Sequence, residues 1–182
     1  MGFALAEAAS ARGAETTLIA GPTALKAPGG VRLVSVETTA QMYAAVKKEF
    51  PKADCLIMAA APSDFSPDKS LQKKIKKSSN GLSLKMKPTV DILRAIIDIR
   101  RENQVVVGFA LETHNALDNA RKKLKEKKLD MIVVNQPGEE TGFEHDTNSV
   151  VILMPGKKPV ELSVAPKSEI SERLLDLVAS LL

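Results

Sequence analysis

The stretch Ala59-Ala60-Ala61-Pro62-Ser63-Asp64 places three small side chains and a carboxylate at the end of an apolar run. Alanines at the end of a strand let a flat ligand approach the backbone closely, because no long side chain stands in the way. Asp64 could accept hydrogen bonds from hydroxyl or amino groups of that ligand. The same residues would also serve helix–sheet packing and a turn, so this stretch alone leaves both interpretations open.

Lysines cluster at Lys73–Lys77 and again within 121–128. Ammonium groups that lie close together repel one another, and phosphate oxygens are their natural partners. A mobile lysine could also neutralise the charge that develops on a leaving pyrophosphate. Lys123 and Lys127 stand four residues apart, so they share one face of a predicted helix and could hold a triphosphate there. A solvated surface is the other explanation for both clusters.

Several other kinds of site are disfavoured. The sequence has no G-x-x-x-x-G-K-[ST] and no G-x-G-x-x-G motif. The strand that ends at Ala20 carries no acidic residue for a ribose hydroxyl, which disfavours an NAD-dependent dehydrogenase. His114 and His145 lack the partner spacing of a metal cage, so no protein-held metal is predicted. Cys55 lies in an apolar run and is predicted to be a buried thiol.

The composition is that of a globular protein, with 44% hydrophobic and 26% charged residues. A single cysteine suits a reducing compartment, and no run approaches the ~18 apolar residues that span a bilayer. The start of the chain makes a poor signal peptide. We therefore expect a cytoplasmic protein without a membrane segment. The net charge of +4 and the 3% aromatic content argue against nucleic acid as a partner.

The elements that must position these residues alternate along the chain. Periodicity and breakers predict helices over 2–12, 38–50, 90–101, 115–128 and 166–182. Strands are predicted over 16–20, 31–36, 54–61, 82–86, 104–110, 129–134, 149–154 and 159–164. This order predicts an α/β fold with a Rossmann-like, doubly wound, mostly parallel sheet and a C-terminal antiparallel hairpin. Ligands would then bind beyond the carboxyl ends of the strands, near Ala61, Ala110 and Asn135.

Taken together, these segments resemble the phosphopantothenoylcysteine synthetase family. The resemblance is carried in order by Met1–Ala8, Thr17–Pro22, Met58–Phe65, Lys74–Lys77, Asp91–Leu93, Val107–Thr113 and Lys128–Asn135. It implies a ligase of coenzyme A biosynthesis, in which CTP or ATP activates the carboxylate of 4′-phosphopantothenate and cysteine then forms an amide. It also implies Mg²⁺ with the nucleotide and a homodimer, and it leaves open a flavin-dependent decarboxylase as a fused or separate partner.

The resemblance assigns a nucleotide site by position to Met58, Ala59, Ala60, Asp64, Lys74, Val90, Asp91, Ile92, Leu93, Phe109, Lys123 and Lys127. The first three would form a backbone ledge, and Asp64 would bind the base or sugar. Lys74 would be the catalytic lysine of a mobile loop. The segment 90–93 and Phe109 would enclose the nucleotide, and the two helix lysines would bind phosphate.

The sequence departs from the family pattern in two places. Pro62-Ser63 stands where the family usually has Val-Ala or Val-Ser, and proline removes an N–H donor. The family's first strand, its Gly-Gly-Thr phosphate loop and its Asn-x-x-Ser-Ser-Gly-Lys segment would precede Met1. We therefore expect residues 1–182 to be one synthetase-type nucleotide-binding domain without them. The alternatives are a non-catalytic nucleotide-binding or assembly module of the same fold and, less favoured, a basic RNA-associated domain.

Overall fold

Helices alternate with groups of one to three strands along the described chain. The structure is a computed structural model that describes residues 1–69, 73, 82–111, 115–135 and 145–182. Its helices are α1 (Gly2–Ala11), α2 (Thr39–Glu49), α3 (Ile92–Ile96), α4 (Ala116–Glu126) and α5 (Lys167–Ala179), with 3-10 turns at Phe50–Lys52 and Ile97–Ile99. The strands are β1 (Thr17–Ala20), β2 (Arg32–Ser35), β3 (Cys55–Met58), β4 (Phe65–Pro67), β5 (Met86–Pro88), β6 (Val105–Leu111), β7 (Met131–Asn135), β8 (Thr147–Leu153) and β9 (Val160–Pro166).

The central sheet has five strands in the order β3-β6-β7-β8-β9. Strands β3, β6 and β7 are parallel, and the helices α3 and α4 fall in the connections between them. The last two strands form an antiparallel hairpin whose turn contains Gly156 at a φ of 69°, a conformation that glycine adopts without strain. The predicted α/β fold with a parallel centre and a C-terminal hairpin is confirmed.

Four of the strands lie outside the central sheet. Strands β1 and β2 pair in parallel as a sheet of their own, and β4 and β5 form a short antiparallel ribbon. The predicted strand over 82–86 is wrong, because residues 82–85 belong to no strand and β5 begins at Met86. The sequence analysis also missed β4. The two errors have one cause. Strands β4 and β5 form by pairing with each other, and because they lie about 20 residues apart in sequence, no local pattern predicts either one.

Two aliphatic clusters cover opposite faces of the sheet, which agrees with the low aromatic content. Side chains of β6 alternate between them: Val106 packs with the cluster under α2, α3 and α4, whereas Val105 and Val107 pack with α1 and α5. Within the described part of the chain, no helix is long and apolar enough to cross a membrane. The parallel strands are therefore covered by helices on both faces.

The helix predicted over 90–101 is shorter than expected. Asp91 caps α3, since its Oδ1 accepts a hydrogen bond from the backbone N–H of Arg94 at 3.2 Å. Before the cap, the N–H of Thr89 donates to the carbonyl of Asp64 at 2.9 Å, so Thr89 belongs to a loop contact instead of the helix. After Ile96 the α-helix gives way to the 3-10 turn. The first turn of α3 is thus fixed next to the segment that follows β3.

Candidate nucleotide site

The predicted backbone ledge lies at the carboxyl end of β3. Met58, the last residue of this strand, is buried and pairs in register with Gly108 of β6. Ala59 is half-buried, whereas Ala60 and Asp64 are exposed. Strand β6 continues past its last pair with β3, so residues 59–64 leave the sheet at the carboxyl end of β3. This is the edge at which parallel α/β sheets bind ligands.

The beginning of α1 lies against the same ledge. A Cβ built on Gly2 would be 3.7 Å from the Cβ of Ala59. The first backbone N–H groups of a helix have no partner within the helix, and the helix dipole favours negative charge near them. The sequence analysis expected these donors from a loop before the helix, and it gave α1 itself no role. The structure brings the helix start and the alanines together.

Thr89 connects the segment after β3 to α3. Its N–H donates to the carbonyl of Asp64 at 2.9 Å, and its Oγ1 donates to the carbonyl of Ser63 at 2.5 Å. The hydroxyl of Ser63 in turn donates to the carbonyl of Phe65 at 2.8 Å. These bonds tie the loop just before residues 90–93 to Ser63 and Asp64. The sequence analysis missed Thr89, because its role depends on a contact 25 residues away.

The apolar residues assigned to the site have different surroundings. Ile92 and Leu93 are buried in the aliphatic cluster beneath α2, α3 and α4, and half-buried Val90 packs against its edge. Phe109 is half-buried in the other cluster, with Ala59. Phe109 and Leu93 therefore pack on opposite faces of the sheet. Their predicted role in enclosing a nucleotide stays a prediction.

The lysine face of α4 meets the first turn of α3. Lys127 Nζ lies 2.8 Å from Asp91 Oδ2. Partial burial raises the pKa of the Asp91 carboxyl, but the hydrogen bonds from Lys127 and from the Arg94 N–H outweigh it, so the pKa lies below its ordinary value. Lys123 is half-buried one turn earlier on the same helix. The structure therefore brings Lys127 to Asp91. Two residues before Asp91, Thr89 bonds to the backbone of Asp64.

Part of the predicted site is not described. The proposed catalytic residue Lys74 lies outside the described residues, as do the stretches 112–114 and 136–144 that follow β6 and β7. Lys73 is described and is exposed. No group of three His, Cys, Asp or Glu side chains that could hold a metal occurs in the described ranges. Burial raises the pKa of the half-buried Cys55 thiol to about 12, in keeping with a structural thiol.

The whole chain is similar to proteins of coenzyme A biosynthesis. Residues 1–182 match the family described as the DNA/pantothenate metabolism flavoprotein C-terminal domain. The Coenzyme A biosynthesis bifunctional protein CoaBC of Bacillus subtilis (strain 168) is 40% identical over 183 residues, which cover 100% of this chain and 45% of that protein. A Cysteine/Cysteine sulfinic acid decarboxylase from an unknown prokaryotic organism is 38% identical over 185 residues, covering 100% and 51% respectively.

A solved structure shows the same fold. The crystal structure of the C-terminal domain of a Coenzyme A biosynthesis bifunctional protein CoaBC superimposes with a TM-score of 0.81 at 33% sequence identity, covering 97% of this chain and 79% of that one. The chain spans about half the length of the curated relatives that it matches.

Proposed function

Because the chain belongs to the DNA/pantothenate metabolism flavoprotein C-terminal domain family, we propose that it forms the synthetase part of a phosphopantothenate–cysteine ligase. A carboxylate is a poor electrophile, so the reaction begins with its activation. The carboxylate oxygen of 4′-phosphopantothenate bonds to the α-phosphorus of CTP or ATP, and pyrophosphate leaves. The amine of cysteine then attacks the acyl carbon, which releases the nucleoside monophosphate and leaves an amide.

One observation carries this proposal. The Lys127 ammonium is held at Asp91, the cap of α3, and Thr89 bonds the loop before this cap to Ser63 and Asp64 after β3. Lys127 thus contacts the cap of α3, the loop before α3 is bonded to the segment after β3, and the start of α1 contacts Ala59 of that segment, in a chain 40% identical over its whole length to a CoaBC protein.

Each part of the site has a proposed task. The ledge at 58–60 supports the base or ribose, with Asp64 as hydrogen-bond acceptor. The α4 lysines and the start of α1 attract the phosphates, since both present positive potential to an anion. Lys74 neutralises charge on the leaving pyrophosphate. Mg²⁺ would enter with the nucleotide by bridging phosphate oxygens, which this cation prefers to an all-protein cage.

The proposal extends to assembly and location. The β4–β5 ribbon exposes apolar side chains, among them Phe65, which is 57% exposed, and Met86, which is 46% exposed. Exposed apolar clusters of this kind mark protein contacts, which supports the proposed homodimer. The match to relatives of about twice the length supports a flavin-dependent decarboxylase as fused or separate partner. The cytoplasm is the proposed compartment.

The test uses the full-length polypeptide that carries this chain. With 4′-phosphopantothenate and either CTP or ATP we expect pyrophosphate release, and with cysteine also present we expect amide formation. Comparing the two nucleotides identifies the substrate. No pyrophosphate with either nucleotide, together with tight nucleotide binding in a calorimeter, would favour the non-catalytic module of the same fold.

A lysine substitution tests the assignment of chemistry to Lys74. We expect Lys74→Gln to lower kcat by roughly 10²–10³-fold, the usual effect of removing a group that stabilises transition-state charge, without a change in melting temperature. Lys73→Gln removes the same charge at an exposed neighbouring position and serves as the matched control. Equal kinetic effects of the two substitutions would show that Lys74 contributes only to the general positive potential.

A further inference from the structure

The Asp91 carboxylate is fixed on both of its oxygens. Oδ1 accepts the hydrogen bond from the Arg94 N–H at the start of α3, and Oδ2 lies 2.8 Å from Lys127 Nζ. The first contact holds the carboxylate to the helix, because an N-cap has one productive side-chain geometry. The second directs the remaining oxygen at the ammonium. Asp91 thereby joins the beginning of α3 to the last turn of α4.

Lys127 is held in place by this contact. It is the C-cap residue of α4, and its backbone N–H bonds to the carbonyl of Lys123 at 2.9 Å, so its own backbone is anchored. Its side chain is 25% exposed, less than that of Asp91 at 43%. An ammonium has three N–H donors, and one salt-bridge partner leaves others that can meet an anion. A long side chain that is already ordered loses less entropy when it binds a ligand.

A direct role of Asp91 in phosphate binding is disfavoured by charge. The pKa of its carboxyl is lowered, so Asp91 is ionised at neutral pH. An anionic oxygen repels a polyphosphate, and it can assist phosphate binding only by acting on a cation. Asp91 has such a cation at hydrogen-bonding distance. The contacts therefore separate two roles within the predicted site: Lys127 meets the ligand, and Asp91 holds Lys127.

We infer that Asp91 is a positioning residue, which orients the Lys127 ammonium toward the nucleotide instead of binding the nucleotide itself. This inference rests on the proposed function, because it assigns the ligand of Lys127 to a nucleoside triphosphate. A residue that acts only through a second residue has no effect once the second is removed. Double-mutant cycles measure this dependence directly.

The experiment compares Asp91→Asn, Lys127→Met and the double variant in the full-length polypeptide. Asparagine is as good an N-cap as aspartate, so Asp91→Asn removes the charge and keeps the cap. We expect it to raise the KM and the dissociation constant for Mg²⁺-CTP or Mg²⁺-ATP roughly three- to tenfold, the cost of ordering one long side chain, with kcat unchanged. In the Lys127→Met background, we expect Asp91→Asn to cause no further loss.

Asp118→Asn is the matched control, because Asp118 pairs with Arg121 on the exposed surface of the same helix, with their Oδ1 and Nη1 atoms 3.0 Å apart. It should leave the nucleotide constants unchanged. Urea unfolding of each variant separates a loss of fold from a loss of positioning. The inference is overturned if Asp91→Asn weakens binding equally in both backgrounds, which would make Asp91 an independent ligand. It is also overturned if Asp91→Asn tightens binding or leaves it unchanged.

The outcomes also separate this inference from the proposed function. Coupled effects on nucleotide binding without any turnover would retain the role of Asp91 and reject the ligase. Turnover with independent effects of the two substitutions would retain the ligase and reject the role of Asp91. No nucleotide binding by the unsubstituted protein would reject both.

Discussion

Gln104 joins three parts of the fold at the start of β6. Its side chain is buried, with 1% exposure. Nε2 donates to the carbonyls of Phe50 and Ala53, each at 2.6 Å, and Oε1 accepts from the N–H of Arg101 at 2.7 Å. A buried polar group stabilises the fold only while its hydrogen-bond partners remain. Leaving such a group without a partner costs more free energy than its hydrogen bond contributes. Gln104 therefore fixes where β6 begins relative to the end of α2.

We expect Gln104→Leu to lower the free energy of unfolding by about 1–3 kcal/mol, because the Arg101 N–H loses its acceptor. The carbonyls of Phe50 and Ala53 keep the Ala53 N–H and the Arg101 guanidinium as donors. Urea unfolding measures the effect. Asn103→Ala, at the exposed preceding residue, is the control and should change stability by less than about 0.5 kcal/mol. A variant at Gln104 as stable as the unsubstituted protein would mean that water replaces the side-chain bonds.

At Gly108, strand β6 has no room for a side chain. A Cβ built there would lie 2.8 Å from Leu129 Cδ1 and 3.4 Å from Leu93 Cδ1. Both leucines are buried, so neither can move into solvent. Leu93 belongs to α3, whose first turn carries the Asp91 cap. The absence of a side chain at Gly108 thus lets Leu93, and with it α3, pack closely against the sheet.

Gly108→Ala should destabilise the fold by about 1–3 kcal/mol, as expected for an added methyl group in a packed core. It should also weaken nucleotide binding by displacing α3. Gly21→Ala is the matched control, because a Cβ at Gly21 meets nothing within 4 Å. The comparison can be made by thermal unfolding and calorimetry. Equal stability of the two variants would indicate that Leu129 adapts without cost.

At the scale of the whole molecule, the β4–β5 ribbon and the residues before it expose several apolar side chains. Phe65 and Met86 lie on the β4–β5 ribbon, and Leu84 just before it is 56% exposed. An isolated two-stranded ribbon is marginally stable in water. A second copy of the chain would both cover these side chains and stabilise the ribbon.

The double substitution Phe65→Ser and Met86→Ser should convert the proposed dimer of the full-length polypeptide to a monomer, which light scattering coupled to gel filtration detects. Val164→Ser removes an equally exposed apolar side chain, at 58% exposure, from strand β9, and it should leave the dimer intact. A dimer that survives the ribbon substitutions must use another surface. A monomeric unsubstituted protein would refute the proposed assembly.

Much of the fold could be predicted because its signals are local. The runs at 104–110 and 129–134 indicate strands buried on both faces, since they are apolar except for Gln104 and Asp130 near their starts. Thr38 or Thr39 likewise indicates the start of α2, and the structure shows Thr38 as the cap, in a capping box with Gln41. The ribbon gave no such signal. Phe65–Pro67 is a strand only because Met86–Pro88 lies beside it.

The sequence alone determined the family of the chain, the order of its elements and the candidate residues of the site, because residue type and short-range spacing encode all three. Only the tertiary structure decided which of those residues meet. The contact of Lys127 with Asp91 joins positions 36 residues apart, and that of Thr89 with Asp64 joins positions 25 apart. Contacts between residues this far apart leave no repeating pattern in the sequence. They form only once helix α4, strand β6 and the loop after β3 have packed together.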